Sequence, residues 1–208
     1  MKPLFVLIMA ASAAFSQYKV EAGGAPPSEL APGISAVLNK AGLKVTNGGA
    51  PYMEIWLASK APTGPKSTED AVTLPTIPQG ALVGVIRFPV AGKDRRGNPV
   101  RPGAYTMRYS QFPVNGDHQG VAPQRDFFLL SPAADDKNAA ATPGFEELVG
   151  MSRKASGLPH PSVFSVSSSS NAAFPEIKKG TDTEADWVLH AKLGDTPIGL
   201  IIVGVMEH

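Results

Sequence analysis

The chain has 208 residues, with 19 Lys and Arg against 18 Asp and Glu, and no Cys. So even a balance argues against broad electrostatic binding to nucleic acid or anionic lipid, which needs a clear basic excess. The absent cysteines exclude disulfides, thiol chemistry and thiolate metal ligands.

The first residues, MKPLFVLIMAASAAFSQ, place one charge at Lys2 before an apolar run from Leu4 to Ala14, with small residues at Ala14 and Ser16. That pattern reads as an export signal spanning 1–16 and cut near Ser16–Gln17, so the mature protein is expected in the periplasm or outside the cell. Spanning a bilayer takes about 20 apolar residues. This run is too short, and no transmembrane segment is expected once the signal is removed. The remaining chain of about 190 residues is long enough to bury a core without disulfides.

The 21 Gly and 20 Pro favour short strands joined by turns over long helices. Residues 17–42 read as a leader, Glu21–Pro27, followed by one short helix. Ser28 is its candidate N-cap and Gly42 its stop, with Leu30, Ile34 and Leu38 on one face. Residues 43–208 read as a single β domain. Asn47–Gly48 marks a hairpin between two strand-like runs. In the second run Met53, Ile55 and Leu57 take the core face, and Tyr52, Glu54 and Trp56 take the other. ALVGVIRFPV is apolar on both faces and reads as a central strand, followed by the charged connection GKDRRGNPVRPG. AYTMRYSQF alternates, with Tyr105, Met107 and Tyr109 on one side and Thr106, Arg108 and Ser110 on the other. DFFLLS is another strand, Pro132–Thr142 a surface loop, GFEELVGMSRKAS one or two helical turns, and SVFSVSSSS a strand. DWVLHAKLG and PIGLIIVGVM close the chain as a hairpin. The predicted fold is all-β: an antiparallel two-sheet sandwich, immunoglobulin-like or transthyretin-like, of about eight strands with one or two short helices.

Candidate site residues gather around one long connection. NGDHQGVAPQRDFF joins two strands with about ten residues where a hairpin needs two to five, and binding residues collect on loops held by a scaffold. Asp117 and His118, with His160 from GLPHPS, form a candidate site for a divalent metal, Zn or Cu, with a hydrolytic role as the alternative function. In the competing reading Asp117 caps a turn, and Arg125 and Asp126 pin the loop. A second candidate is the run Arg87, Lys93, Arg95, Arg96, Arg101 and Arg108, opposed locally only by Asp94. It offers guanidinium groups to a carboxylate, phosphate or acidic sugar, or forms a solvated hairpin tip. Arg108 stands out because it sits mid-strand, where a charge must face water or find a partner. A third candidate is Tyr52, Glu54 and Trp56, a face suited to stacking on a sugar; Glu54 argues against that face being core. HExxH, Walker, GxGxxG and G-x-S-x-G patterns are absent, and no catalytic residue is assigned.

RPGAYTMRY, followed by GDHQGVAPQRDFFLL and MSRKASG with its later His-Pro, resembles a group of uncharacterised exported bacterial β-sandwich proteins. The Pro102-Gly103-x-Tyr105 stretch is similar to a strand start common in secreted sandwich domains, transthyretin-like ones included. That likeness implies a fold with an inward-packing tyrosine and transfers no activity. The functional expectation is a non-catalytic binding or interaction protein of the cell envelope. Its partner would be an envelope or extracellular protein or a glycan, met by the His118 loop and the Arg108 strand beside it.

Overall fold

The computed structural model describes residues 17–113, 124–169, 173–180 and 185–205. The signal-like run 1–16 and both Asp117 and His118 lie outside the described residues.

Twelve strands and two helices follow in chain order: β1 Tyr18–Ala22, α1 Pro32–Val37, β2 Leu43–Asn47, β3 Ala50–Leu57, β4 Leu82–Phe88, β5 Gly92–Lys93, β6 Pro99–Val100, β7 Gly103–Gln111, β8 Asp126–Pro132, α2 Phe145–Ser156, β9 Val163–Ser167, β10 Glu176–Lys179, β11 Trp187–Leu193 and β12 Thr196–Val203. Ten of the strands form one antiparallel sheet in the order β1-β2-β3-β4-β7-β8-β9-β12-β11-β10, while β5 and β6 pair separately. The two end strands lie against each other, and the Tyr18 and Trp187 rings bridge the seam with centroids 5.3 Å apart. In place of the expected eight-stranded pair of sheets, a single ten-stranded sheet nearly closes into a barrel.

Alternation along the strands sorts the side chains into an inside and an outside. Met53, Ile55 and Leu57 of β3, Tyr105, Met107 and Tyr109 of β7, Phe128 and Leu130 of β8, and Ile198, Leu200 and Ile202 of β12 meet in one interior core. The outer face is covered by the helices. Leu30, Ile34 and Leu38 around α1 pack on Trp56, Leu82 and Val85. Leu148 and Val149 of α2 pack on Phe127, Leu129 and Val163. β4 is therefore apolar on both faces, as its sequence predicts, and β8 is too. At about 25 cal/mol per Å² of buried apolar surface, such a two-layered core stabilises a chain of this length without cross-links.

Several local readings hold. Gly48 and Gly49 both take positive φ between β2 and β3, the geometry of a tight hairpin turn. β11 and β12 pair as the last hairpin. α2 is longer than the expected one or two turns, at 12 residues, and ends at Gly157 in the left-handed conformation. α1 is shorter than expected: it starts at Pro32 after Ala31, not at Ser28, and ends before Leu38. β1, which overlaps the expected leader at Glu21 and Ala22, pairs with β2 from Tyr18–Asn47 to Ala22–Leu43.

Tyr52 departs from strict alternation. The β2–β3 register slips between Val45 and Thr46, whose partners are Met53 and Pro51. The extra residue at this bulge is Tyr52, and a bulge turns a side chain off its expected face. Tyr52 consequently packs against the interior core, 5.4 Å from the Tyr18 ring. The predicted Tyr52/Glu54/Trp56 face does not form.

Candidate functional site

The mid-strand charge of β7 has found its partner. Arg108 is 0 % exposed, and its five N–H groups make five hydrogen bonds: Nε and Nη2 to the two Asp136 carboxylate oxygens at 2.6 and 2.8 Å, Nη1 to the carbonyls of Gly80 and Ala141, and Nη2 to that of Asn138. The Pro132–Thr142 connection is thus strapped to the sheet by a buried ion pair. Arg108, expected on a contact surface, has no donor left for a ligand.

Half of the basic run is spent in this way, Arg108 included. Arg95 makes a two-pronged bond to Asp186 at 2.5 and 3.0 Å, and both side chains are buried. Arg87 pairs with Glu54 and its guanidinium lies 5.9 Å from the Trp56 ring centroid. Glu54 is thereby explained as an ion-pair partner. Trp56 is 1 % exposed and donates from Nε1 to Gly24 O at 2.9 Å, so it offers no stacking face to a sugar.

Arg125 and Asp126 also work within the fold. Arg125 bonds Phe112 O at 2.7 Å and Glu69 at 3.2 Å. Buried Asp126 accepts from the backbone N–H groups of Thr73 and Leu74 and from the Tyr109 hydroxyl. Burial, and secondarily the Asp126 charge, raises the Tyr109 hydroxyl above its ordinary range. The segment these two residues hold is the one around 69–74.

His160 is exposed, and with it begins the arrangement that sequence reasoning did not assemble. A cleft of about 220 Å³ lies between α2, the β8–β9 surface and the turn at Arg96. Phe112, Phe127 and Phe145 give it aromatic walls, and the first two rings are 4.4 Å apart. The Pro159-His160-Pro161 side is stapled to α2: Ser152 Oγ donates to Ser162 O and accepts from its N–H, Arg153 Nε donates to Pro159 O, and Ser156 Oγ donates to His160 O.

Arg96 reaches the cleft from a turn of equal rigidity. Asp94 Oδ1 accepts from the N–H groups of Arg96 and Asn98 at 2.9 Å each, and Arg95 N donates to Val163 O. Burial raises the Asp94 carboxyl above its ordinary value despite those bonds. The cleft therefore combines an apolar floor with Arg96, Arg153, Glu146 and His160 at its edges.

Two other hollows differ in character. At the barrel end near the β5–β6 hairpin, a cavity of about 760 Å³ is bordered by Tyr18, Tyr52, Lys93 and Asp94. Burial, then the neighbouring Tyr18, pushes the Tyr52 hydroxyl up to about 12, and that hydroxyl donates to Ile202 O at 3.4 Å. A smaller hollow of about 200 Å³ lies beside Leu43, Ile55 and Phe174.

For metal chemistry, the expected set of Asp117, His118 and His160 has only His160 among the described residues. No group of three or more His, Cys, Asp or Glu suited to a metal occurs among the described residues. Ser169 Oγ contacts His190 Nδ1 at 2.8 Å, and burial lowers the imidazole below its ordinary value. Neither residue lines any of the three hollows. No helix among the described residues is long and apolar enough to cross a membrane.

Compared with protein-family models, with curated proteins and with solved structures, the chain matches none.

Proposed function

We propose that the chain is an exported, non-catalytic binding protein of the cell envelope, secreted or periplasmic, and that its ligand occupies the cleft beneath α2. The observation that carries this reading is the cleft itself: three phenylalanine side chains and two guanidinium-bearing residues brought together from four separate stretches of chain. Ligand sites are concave, mostly apolar and oriented by a few polar groups. Placement on a helix, two strands and a hydrogen-bonded turn keeps that geometry preorganised, which lowers the cost of binding. The resemblance to exported sandwich proteins and the signal-like first residues support the location.

Ligand-observed NMR of the mature protein against a panel of small aromatic and aliphatic compounds tests the reading. Val149 lines the cleft from a buried position, so Val149→Trp should fill it and abolish the hits at a cost of about 1–3 kcal/mol, with circular dichroism showing that the variant stays folded. A panel with no hits at millimolar concentration, or hits unaffected by the filled cleft, overturns it.

A further inference from the structure

The reading of the cleft as a binding site can be taken one step further, to the class of ligand, and the step rests on that reading. Arg96 lines the cleft and is half-buried, yet its guanidinium has no hydrogen-bond or ion-pair partner among the described residues. Its neighbours in the same run contrast with it. Arg87, Arg95 and Arg108 are each committed to a carboxylate of the protein. A guanidinium beside an apolar wall gives up hydration without recovering a partner, a cost that a ligand carboxylate would offset through paired N–H···O bonds. The turn held by Asp94 fixes the backbone from which the side chain reaches, so binding need order only the rotamers of Arg96 itself.

The other charged groups at the cleft favour an anion. Among the described residues, Arg153 has only Nε committed, to Pro159 O at 2.7 Å. Glu146 opposes from the exposed first turn of α2, and His160 stands at the edge. Two guanidinium groups against one carboxylate leave the cleft edge positive.

Size and lining limit the rest of the ligand. An apolar cavity of roughly 150 Å³ suffices for benzene, so the cleft's volume of about 220 Å³ admits one ring with a short carboxylate arm and little more. Phe112, Phe127 and Phe145 supply edges and faces for that ring. We propose that the cleft selects single-ring aromatic carboxylates, with the carboxylate on Arg96 and the ring among the three phenylalanines.

The test compares 3-phenylpropionate with its neutral counterpart 3-phenylpropanol by isothermal titration and by NMR, on the wild type, Arg96→Met and Val149→Trp. The expected result is at least about tenfold tighter binding of the acid to the wild type, the span of a charge-assisted hydrogen-bond pair. Arg96→Met should bring the acid to the level of the alcohol, and Val149→Trp should remove both. Because the Arg96 side chain makes no described bond, its variant should unfold at the wild-type temperature. Equal binding of acid and alcohol overturns the carboxylate assignment while leaving the cleft a binding site. Loss of neither ligand in Val149→Trp places binding elsewhere and overturns both, whereas failure of the acid to bind the wild type at all overturns the carboxylate assignment and leaves the cleft to the compound panel.

Discussion

Replacing Arg108 by Met tests whether the buried ion pair organises this fold. The substitution keeps an unbranched apolar stem in the space and removes all five donors at once. It leaves the Asp136 carboxylate, 4 % exposed, with one side-chain hydrogen bond, from Thr106 Oγ1 at 2.6 Å. It also strips the carbonyls of Gly80, Asn138 and Ala141 of their shared partner. Removing one member of a buried pair costs about 3–5 kcal/mol, mostly from the uncompensated charge. For a chain of this size each kcal/mol lowers Tm by about 2–4 °C, so the expected fall is roughly 6–20 °C. Urea unfolding followed by circular dichroism reads the free energy, and hydrogen exchange at Asn138–Ala141 reads the local release of the strap. Arg108→Lys should fall between, because a point charge with three donors cannot span five acceptors. Arg108→Met combined with Asp136→Leu should recover part of the loss, since the charge goes but the three carbonyls stay unpaired. An Arg108→Met protein within about 1 kcal/mol of wild type, with unchanged exchange at Asn138–Ala141, would refute the reasoning.

Gly204 sits at φ 132, where an added Cβ would run into the Asp186 carboxylate and the Arg95 guanidinium; Gly204→Ala should therefore destabilise by about 1–3 kcal/mol. Calorimetry checks this, and an unchanged Tm would mean that the Arg95–Asp186 pair does not pack against that backbone. Burial holds the His190 imidazole below its ordinary value of 6.5, so the folded state binds fewer protons than the unfolded one in that range. Stability should be full above pH 6.5 and fall as pH drops from there through the folded value, and His190→Gln should lose that part of the acid slope. An NMR titration of His190 with a midpoint at or above 6.5 contradicts this.

Local period and turn chemistry made the strands legible, because a strand with one wet face must alternate and a strand buried twice cannot. The interior positions of β7, the hairpin at Asn47–Gly48 and the C-terminal pair all follow from that constraint alone. What stayed hidden depends on partners far along the chain. β1 and β10 are short and charged, YKVEA and EIKK, and nothing in them distinguishes an edge strand from a loop until β2 and β11 lie alongside. The two halves of the sheet are joined by β9 pairing β12, a contact that no local pattern encodes. The bulge at Tyr52 defeated strict alternation for the same reason: the slip lies in the register against β2.

The adjacent arginines show why the site was the least legible part. Arg95 and Arg96 share a residue type, a local charge and a turn, and the sequence treats them alike. In the fold they leave the turn to different surroundings: Arg95 to a buried carboxylate at position 186, Arg96 to a cleft made by residues as distant as Phe112 and Phe145. Asp94 is what separates them, since its bonds to the N–H groups of Arg96 and Asn98 set the turn. A short acidic residue two positions before an Arg, with Gly and Asn next, is a signal that sequence reading can use: it marks a charge held on a fixed turn and not on a solvated tip. Loosening that turn through Asp94→Ala should therefore weaken carboxylate binding at Arg96 without touching the apolar lining of the cleft.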